Sequence, residues 1–372
     1  MILINRIRVK IAVDCRMSGM SGIGVYLDNI LAYFISEHPD NAYLLVGDKS
    51  RFKRFENYPQ CKMLQTDIPI FSIKEVFGFP TKEINQCDAF FSPNFNIPFG
   101  ISIPIYATIH DVVFLDVKGL SSKIGKIIRW IVLWRTIRIS RKIFTVSNFS
   151  KKRIQFHFKK APEIIVANSG INCELREFKM EGKAPYAFPY LLFIGNIKKN
   201  KGLDILLQAY DQASDRGLIH KLVIVGNYEK LKTTDPGIIN RIENQNGNVI
   251  FTEKITNEQL YNTIAYATLL VQPSIYEGFG LPPLEALYLG CKVLLSDIPV
   301  FREIYGKLPV TFFEVNNSYD LTEKIMMCLQ EEQPGQFIKK DIDSLYSLNR
   351  SAQLILSQIN QLKPDNYWKP LF

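Results

Sequence analysis

The sequence of 372 residues lacks a CxxC pair, and its six cysteines are scattered. Neither a zinc site nor a disulfide framework is indicated, and we expect reduced cysteines. No apolar run reaches the roughly 18 residues that cross a bilayer. The apolar start, residues 1–6, is too short and too soon interrupted for a signal peptide, which predicts a cytoplasmic protein.

Acidic residues are scarce in the first half of the chain. Residues 1–187 carry 27 Lys and Arg against 16 Asp and Glu, whereas residues 188–372 carry 18 against 20. The net charges are therefore +11 and −2. A basic half indicates an anionic partner: nucleic acid, an anionic membrane surface or a phosphate-bearing substrate.

Short β-branched runs alternate with helical stretches along the whole chain, which predicts α/β architecture with parallel sheets covered on both faces. We predict two doubly wound, Rossmann-like domains facing a central cleft, over residues 1–175 and 190–341. A polar stretch, 176–189, is the predicted linker. A final amphipathic helix over 342–362, within a C-terminal segment 342–372, is predicted to pack back on the N-terminal domain. Ligands of such sheets bind in the loops at the carboxyl ends of the strands.

The most informative loop sets two carboxylates, Glu277 and Glu285, around a glycine-rich turn. A buried strand is predicted before it, over 267–272. Pro282 and Pro283 suit the first turn of a following helix, where a missing N–H costs nothing. Loop amides and a helix N-terminus bind anions, so the motif fits a ligand that carries both phosphate and hydroxyls, such as a nucleotide sugar. The alternative, two surface glutamates beside an ordinary turn, is disfavoured by their spacing.

A second glycine loop, Gly22-Ile-Gly24, follows the first predicted strand, 7–13. Its glycines allow backbone amides to approach a phosphate or a substrate. A plain tight turn is the alternative. Leu27 stands where the third glycine of a dinucleotide-binding fingerprint would be, so ordinary NAD binding is poorly supported.

His110, one of four histidines, directly follows the predicted strand 105–109. It could hydrogen-bond a sugar hydroxyl or carry a proton, because its unperturbed pKa lies near neutrality. A structural bond to the backbone at a strand end is equally compatible with its position.

Two further loops follow predicted strands of the second domain. Residues 195–202 place three lysines before a helix, which suits a diphosphate, and Lys201 is the most favoured contact. A solvated basic loop is the alternative. Residues 251–257 can offer backbone groups to a nucleobase, although alone they are an ordinary strand-to-helix turn.

Residues 276–286 resemble the E-x7-E motif of the family 4 retaining glycosyltransferases, the glycosyltransferase group 1 domain of the GT-B fold. The resemblance covers about residues 7–305. It continues in order through the segments 22–26, 107–111, 146–150, 170–172, 195–202 and 273–274.

The resemblance implies a role for each matching residue. Glu277 and His110 would be the catalytic pair, contacting donor-sugar hydroxyls, with His110 also placing the acceptor. Glu285 would hold the ribose, and the backbone of Ile255 would frame the base. Lys201 would bind the diphosphate together with the phosphate loop that begins at Gly195. The acceptor side would use the glycine loop of Gly22 and Gly24. The backbone amides that bind the diphosphate would be those of Gly278, Phe279, Gly280 and Leu281.

Four positions depart from the family pattern. Asn196 and Asn200 stand where an arginine is common, and the neighbouring lysines could substitute only as point charges. Glu253 stands where glycine is usual, and Val25 replaces a frequent arginine or asparagine.

The resemblance implies a retaining transferase that moves a hexose from a UDP- or GDP-sugar to a growing, lipid-linked cell-surface polysaccharide, as in lipopolysaccharide synthesis. The nucleotide sugar is a co-substrate, and no cofactor or metal is expected, since Lys201 and the loop amides can compensate the leaving diphosphate. Two alternatives stay open: a non-catalytic nucleotide-sugar-binding partner and a GT-B-like nucleotide-sugar epimerase.

Residues 117–160 hold 13 Lys and Arg and no acidic residue. A basic helix is predicted near 121–140, with most of its apolar side chains packed on the sheet. We hypothesise a peripheral contact with anionic lipid at the inner face of the cell membrane, and a solvated basic face is the alternative. Nucleic acid is disfavoured, because no nucleic-acid motif accompanies the charge. The predicted apolar positions are Ile124, Ile127, Ile128, Ile131, Trp134 and Ile137.

Overall fold

A computed structural model describes residues 9–70, 72–120, 122–180, 182–196, 198–226, 242, 247–252, 255–331 and 338–361. The described chain divides into two compact units. The first unit comprises the described residues within 1–115, 121–169 and 347–372, and the second those within 116–120 and 170–346.

The first unit contains a parallel sheet of seven strands in the order β3-β2-β1-β4-β5-β6-β7. The central strands are short, continuous apolar runs without exposed positions, as expected where helices cover both faces of a sheet. The strands are β1 (Lys10–Asp14), β2 (Ala42–Gly47), β3 (Cys61–Gln65), β4 (Ala89–Ser92), β5 (Ile105–Thr108), β6 (Ser140–Thr145) and β7 (Ile164–Val166).

The second unit contains a parallel sheet of six strands in the order β10-β9-β8-β11-β12-β13. The three central strands, β8, β11 and β12, are buried at every position. The strands are β8 (Tyr190–Ile194), β9 (Lys221–Val225), β10 (Val249–Thr252), β11 (Leu269–Gln272), β12 (Lys292–Ser296) and β13 (Thr311–Phe313).

Helices follow most strands, and the two sheets with their helices confirm the predicted class of two doubly wound, Rossmann-like units. The helices are α1 (Ser21–Glu37), α2 (Ile73–Gly78), α3 (Thr81–Ile84), α4 (Val113–Asp116), α5 (Lys123–Ile139), α6 (Asn148–His157), α7 (Cys173–Glu177), α8 (Leu203–Asp215), α9 (Asn257–Ala265), α10 (Leu281–Tyr288), α11 (Pro299–Tyr305), α12 (Ser318–Gln330), α13 (Ile338–Leu345) and α14 (Leu348–Asn360).

The C-terminal segment differs from the single helix predicted over 342–362. Two helices, α13 and α14, replace it, and the chain passes from the second unit to the first at Ser347. The Ser347 side chain caps α14 by accepting the backbone N–H of Arg350 at 3.4 Å. A serine is a common helix start, so the break has a sequence signal that the apolar periodicity obscured.

Helix α14 packs against α1 within the first unit. Its attachment includes polar contacts to strands and loops of that unit. Ser351 Oγ donates to the carbonyl of Asn168 at 2.6 Å, and Tyr106 Oη donates to the carbonyl of Gln358 at 3.3 Å. The last residues of the predicted C-terminal segment, 362–372, lie outside the described chain.

The apolar residues predicted to pack helix α5 on the sheet do not do so. Of the six, only Ile137 is buried, and the other buried positions are Leu133 and Thr136. The helical periodicity was correct, but the chosen face was wrong. Among the described helices, none has the length and apolar character needed to cross a membrane.

Candidate active site

The strand order of the second sheet reverses between β8 and β11, which lie side by side at its centre. Loop 195–202 follows β8, and loop 273–280 follows β11. Both predicted donor loops therefore begin at the switch point of the sheet, where open α/β sheets bind ligands.

Lys201 and Glu277 form an ion pair between these two loops. Lys201 Nζ lies 2.6 Å from Glu277 Oε1 and 2.8 Å from Oε2. The pair is mostly shielded, with side-chain exposures of 22% and 10%. Ser274 Oγ donates a third hydrogen bond to Glu277 Oε1 at 2.7 Å, so the carboxylate is fixed in place.

The backbones of the two loops are locked together beside this pair. Asn200 Nδ2 donates to the carbonyl of Tyr276 at 3.1 Å, and the Asn200 carbonyl accepts the N–H of Ile275 at 2.9 Å. Gly202 adopts a left-handed conformation, with φ of 69°, and a Cβ there would meet the carbonyl oxygen of Pro273 at 2.0 Å. These contacts set the positions of both charged side chains.

The glycine-rich turn leads into helix α10 with its amides toward the helix N-terminus. Pro282 and Pro283 supply no N–H, so the backbone amides nearest the start of the helix are those of the turn residues 278–281. Gly280 has φ of 87°, and a Cβ there would come within 2.6 Å of the Phe301 ring. The Phe279 side chain is buried and meets the Tyr346 ring edge-on, at 5.5 Å between centroids, so only its backbone serves the turn.

Glu285 lies in α10, and desolvation raises the pKa of its carboxyl to about 7. Some of the residue remains accessible to solvent. Within the described chain, no hydrogen bond or ion pair to its carboxylate is found. A carboxyl that is desolvated without a partner suits a ligand that donates hydroxyls to it.

Tyr305 is a site residue that the sequence reading missed. Its hydroxyl donates to the carbonyl of Gly280. Burial raises its pKa, and the charges of Tyr346, Glu277 and Glu285 raise it further, so both glutamates lie near it. The bounds of its helix α11 have a sequence signal, because Pro299 is the first residue of the helix and Gly306 follows its last residue.

The other residues predicted to bind the donor also follow the carboxyl ends of strands in the second sheet. Gly195 directly follows β8, and its N–H donates to the carbonyl of Val225 at 3.0 Å. Ile255 follows the edge strand β10 and precedes Thr256, which caps helix α9 together with Gln259. Glu253 lies outside the described residues.

The positions that depart from the family pattern have different environments. Asn200 is buried and bonds the two loops, which makes it a structural residue here. Asn196, Lys198 and Lys199 are exposed. A second cation for a diphosphate would therefore have to come from one of the exposed lysines.

His110 belongs to the first unit, where it follows β5. Its Nε2 lies 2.9 Å from the carbonyl of Pro93, which requires the proton on Nε2 and leaves Nδ1 as an acceptor. Burial lowers the pKa of His110 to about 4. The imidazole is therefore neutral at pH 7, and it can accept a hydroxyl proton in a hydrogen bond at Nδ1.

Gly22 and Gly24 lie in the first turn of helix α1, which begins at Ser21, so the predicted glycine loop is helical. A Cβ on Gly24 would meet the carbonyl oxygen of Met17 at 2.2 Å, whereas Gly22 has open space around it. Tyr26 in the next turn contacts His110 edge-on, at 4.9 Å between ring centroids. The start of α1 and His110 are thus neighbours.

A buried ionic network beside β1 was also missed. Arg16 donates to Asp14 Oδ2 at 2.7 Å and to Glu75 Oε1 at 2.5 Å, and its guanidinium lies over the Phe79 ring. Asn96 Nδ2 donates to the other oxygen of Glu75 at 2.5 Å. An Asp-x-Arg directly after a buried strand is the sequence signal that could have indicated it.

Residues 176–342 match the family model described as glycosyl transferases group 1. Residues 176–342 therefore form a glycosyl transferase group 1 domain, as predicted for this part of the chain. The O-antigen chain mannosyltransferase B of Escherichia coli is 25% identical over 255 residues, 64% of this chain and 65% of that relative. The O-antigen biosynthesis glycosyltransferase WclY of Escherichia coli is 25% identical over 235 residues, 61% and 63% of the two chains. The chain thus spans less than two thirds of the length of these relatives.

Solved structures show the same fold. Anabaena HepE in complex with UDP and glucose matches with a TM-score of 0.73 at 14% identity, and the match covers 95% of this chain and 100% of HepE. At such an identity the likeness establishes the fold, which is the GT-B fold of glycosyltransferases.

Proposed function

We propose that this group 1 glycosyl transferase moves a hexose from a UDP- or GDP-sugar to a lipid-linked polysaccharide acceptor, with retention of anomeric configuration. The observation that carries the proposal is the pairing of Lys201 with Glu277 under the 278–281 turn at the switch point of the second sheet. The desolvated, unpartnered carboxyl of Glu285 supports it.

Each donor group has a matching protein group in the second unit. In the proposed complex, Lys201 leaves Glu277 and binds the diphosphate, which also accepts hydrogen bonds from the backbone amides of residues 278–281. Glu277 then accepts hydrogen bonds from hydroxyls of the sugar, while Ser274 continues to hold one of its oxygens. Glu285 accepts the ribose hydroxyls, and their donation stabilises its ionised form.

The leaving nucleoside diphosphate gains negative charge as the glycosidic bond to its phosphate breaks. In the proposed donor complex Lys201 and the loop amides already contact the diphosphate, so they can stabilise that charge without reorganising while the bond breaks. We propose that they do so without a metal ion. Retention fits a reaction on one face of the sugar, in which the leaving phosphate accepts the proton of the acceptor hydroxyl. His110, neutral and with Nδ1 available, would position a sugar hydroxyl rather than carry a charge.

The choice of acceptor rests on the relatives. Both curated relatives are named for O-antigen synthesis, and the solved structure of a lipopolysaccharide outer core galactosyltransferase, WaaB, has a TM-score of 0.62 at 16% identity. We propose a lipid-linked cell-surface glycan as acceptor and a location at the cytoplasmic face of the membrane.

The test incubates the purified chain with UDP- and GDP-sugars, with and without lipid-linked acceptor, in the presence and absence of EDTA. Chromatography and mass spectrometry of donor and acceptor identify the products. We expect glycosylated acceptor with the anomeric configuration of the donor, at a rate that EDTA does not lower.

The other products contradict the proposal in distinct ways. Isomerised donor without transfer would indicate an epimerase, and tight donor binding without any product would indicate a non-catalytic partner. An inverted linkage would contradict retention, and a rate abolished by EDTA and restored by Mg²⁺ would contradict metal independence.

A further inference from the structure

Helix α5 of the first unit carries large apolar side chains on its solvent side. The exposed fractions are 72% for Ile124, 58% for Ile127, 53% for Ile128, 49% for Ile131 and 40% for Trp134. Contiguous apolar patches of this kind are rare on soluble proteins and usually mark an interaction site. We call these five residues, with the 41% exposed Trp130, the α5 apolar face.

The isoleucines of the α5 apolar face lie opposite the side of the helix that packs on the protein. At about 100° per residue, Ile124, Ile128 and Ile131 fall on one stripe. The buried residues Leu133 and Ile137 fall about half a turn away. The fold therefore satisfies one apolar side of the helix and leaves a second one in solvent.

Aromatic side chains anchor the C-terminal half of this face. Trp130 stacks on Trp134 with centroids 6.5 Å apart and on the buried Phe158 at 6.0 Å. Tryptophan rings are favoured at the boundary between lipid and water, because an apolar body is joined to a polar N–H. Phe156 on the neighbouring helix α6 is 65% exposed and extends the apolar surface.

Cations surround the α5 apolar face and no acidic residue lies between positions 117 and 160. Arg138 lies over the Trp134 ring at 4.9 Å. Lys123 and Arg129 are exposed, and neither forms an ion pair with another described residue. Other cations are already used by the protein, since Lys126 Nζ donates to the carbonyl of Leu115 and Arg135 to that of Ile97.

We propose that the α5 apolar face inserts into the surface of a bilayer containing anionic lipid, with the flanking lysines and arginines on the headgroups. An apolar stripe flanked by lysines and arginines matches acyl chains beneath a negative surface. The proposed surface rests on the proposed function for its biological use, the delivery of a lipid-linked acceptor. It makes insertion of isoleucines, rather than charge alone, the main source of binding.

The test measures co-sedimentation of the full chain with vesicles of phosphatidylcholine, and of phosphatidylcholine mixed with phosphatidylglycerol. Trp130 and Trp134 are two of the three tryptophans of the chain, so a blue shift of fluorescence reports insertion. We expect binding to the anionic vesicles with such a blue shift. The double variant Ile127→Ser, Ile131→Ser should bind at least about tenfold more weakly.

Two further variants separate the contributions of charge and of apolar insertion to vesicle binding. Lys123→Gln with Arg129→Gln should weaken binding about tenfold at low salt and far less at high salt, because screening removes the charge contribution. Ile219→Ser is the matched control, since this isoleucine is 79% exposed in the second unit, and its vesicle binding should equal that of the wild type. Unfolding temperatures of the variants confirm that each is folded.

The proposal is overturned if the wild type fails to bind anionic vesicles, or if the double serine variant binds as well as the wild type. A concentration-dependent dimer that the serine changes abolish, without vesicle binding, would assign the face to a second copy instead. Because the vesicles contain neither donor nor acceptor, the membrane proposal can fail while transfer to a soluble acceptor succeeds.

Discussion

At the residue scale, Lys201 and Glu277 neutralise each other in a shielded position, and the removal of either leaves the other unpaired. Removing one partner of such a pair lowers the free energy of unfolding by more than the intact pair adds to it, because an uncompensated charge stays in the shielded position. A stability measurement must therefore accompany every activity measurement on these variants. Their positions were predicted from the sequence, but their direct contact was not, because it depends on which strands are neighbours.

The unpartnered carboxyl of Glu285 makes stability depend on pH. Its pKa is about 7 in the folded chain, above its ordinary value of 4.5, so the folded state binds the proton more tightly than the unfolded state does. The ionised carboxylate therefore lowers the free energy of unfolding. This loss is absent below the unfolded pKa of Glu285, grows as the pH rises from the unfolded to the folded pKa, and is complete above the folded pKa.

The variant Glu285→Gln should therefore stabilise the unliganded chain at pH 8, by roughly 1–3 kcal/mol, and change it little near pH 4.5. Chemical denaturation of both proteins at the two pH values checks this. An equal difference at both pH values would show that the carboxyl is not desolvated. The same change should weaken UDP or GDP binding, since a glutamine cannot carry the charge that the ribose hydroxyls stabilise.

At the scale of elements, helix α10 has a left-handed glycine at each end. Gly280 and Gly290 have φ of 87° and 86°, but only Gly280 is crowded, by the Phe301 ring. Alanine substitutions at these two glycines therefore distinguish the effect of backbone strain from the effect of steric overlap. Only the first of them also belongs to the proposed phosphate-binding turn.

Gly290→Ala should cost about 1–2 kcal/mol of unfolding free energy through backbone strain alone. Gly280→Ala should cost clearly more, because its Cβ must displace Phe301, and it should also weaken nucleoside diphosphate binding. Denaturant titration and calorimetric binding of UDP and GDP measure both effects. Equal losses of stability, or unchanged binding in Gly280→Ala, would contradict the role of the turn.

Several elements could be predicted from the sequence because their patterns are strong. The sequence predicts strands over 164–166, 190–194 and 311–313 and a helix over 203–215, and these are the bounds of β7, β8, β13 and α8. Edge strand β3 was missed, since partial burial gives it no apolar run. The exposed side of α5 was assigned to the core, because periodicity identifies an apolar face without showing what covers it.

At the scale of the whole molecule, the alternation of strands and helices sufficed for the fold class. The C-terminal segment was predicted to return to the first domain from residue 342, whereas the chain passes from the second unit to the first at Ser347. The Asp14-x-Arg16 part of the buried ionic network has a local sequence signal, but its link to Glu75 does not, because Glu75 lies 59 positions further along the chain. Local pattern carries no information on such distant partners.

The central claim, that Glu277 and its neighbours form a transferase site, is tested most directly by initial rates of hexose transfer in two matched variants. Glu277 pairs with Lys201 inside the site, whereas Glu323 pairs with Arg216 on the surface of the same unit. Both are changed to glutamine, and the unfolding temperature of each variant is measured.

We expect Glu277→Gln to lower the rate about 10²–10³-fold, because a group that stabilises the transition state is lost. Glu323→Gln should leave the rate within about twofold of the wild type, since an exposed pair contributes little. A folded Glu277→Gln variant that transfers hexose as fast as Glu323→Gln would contradict the account.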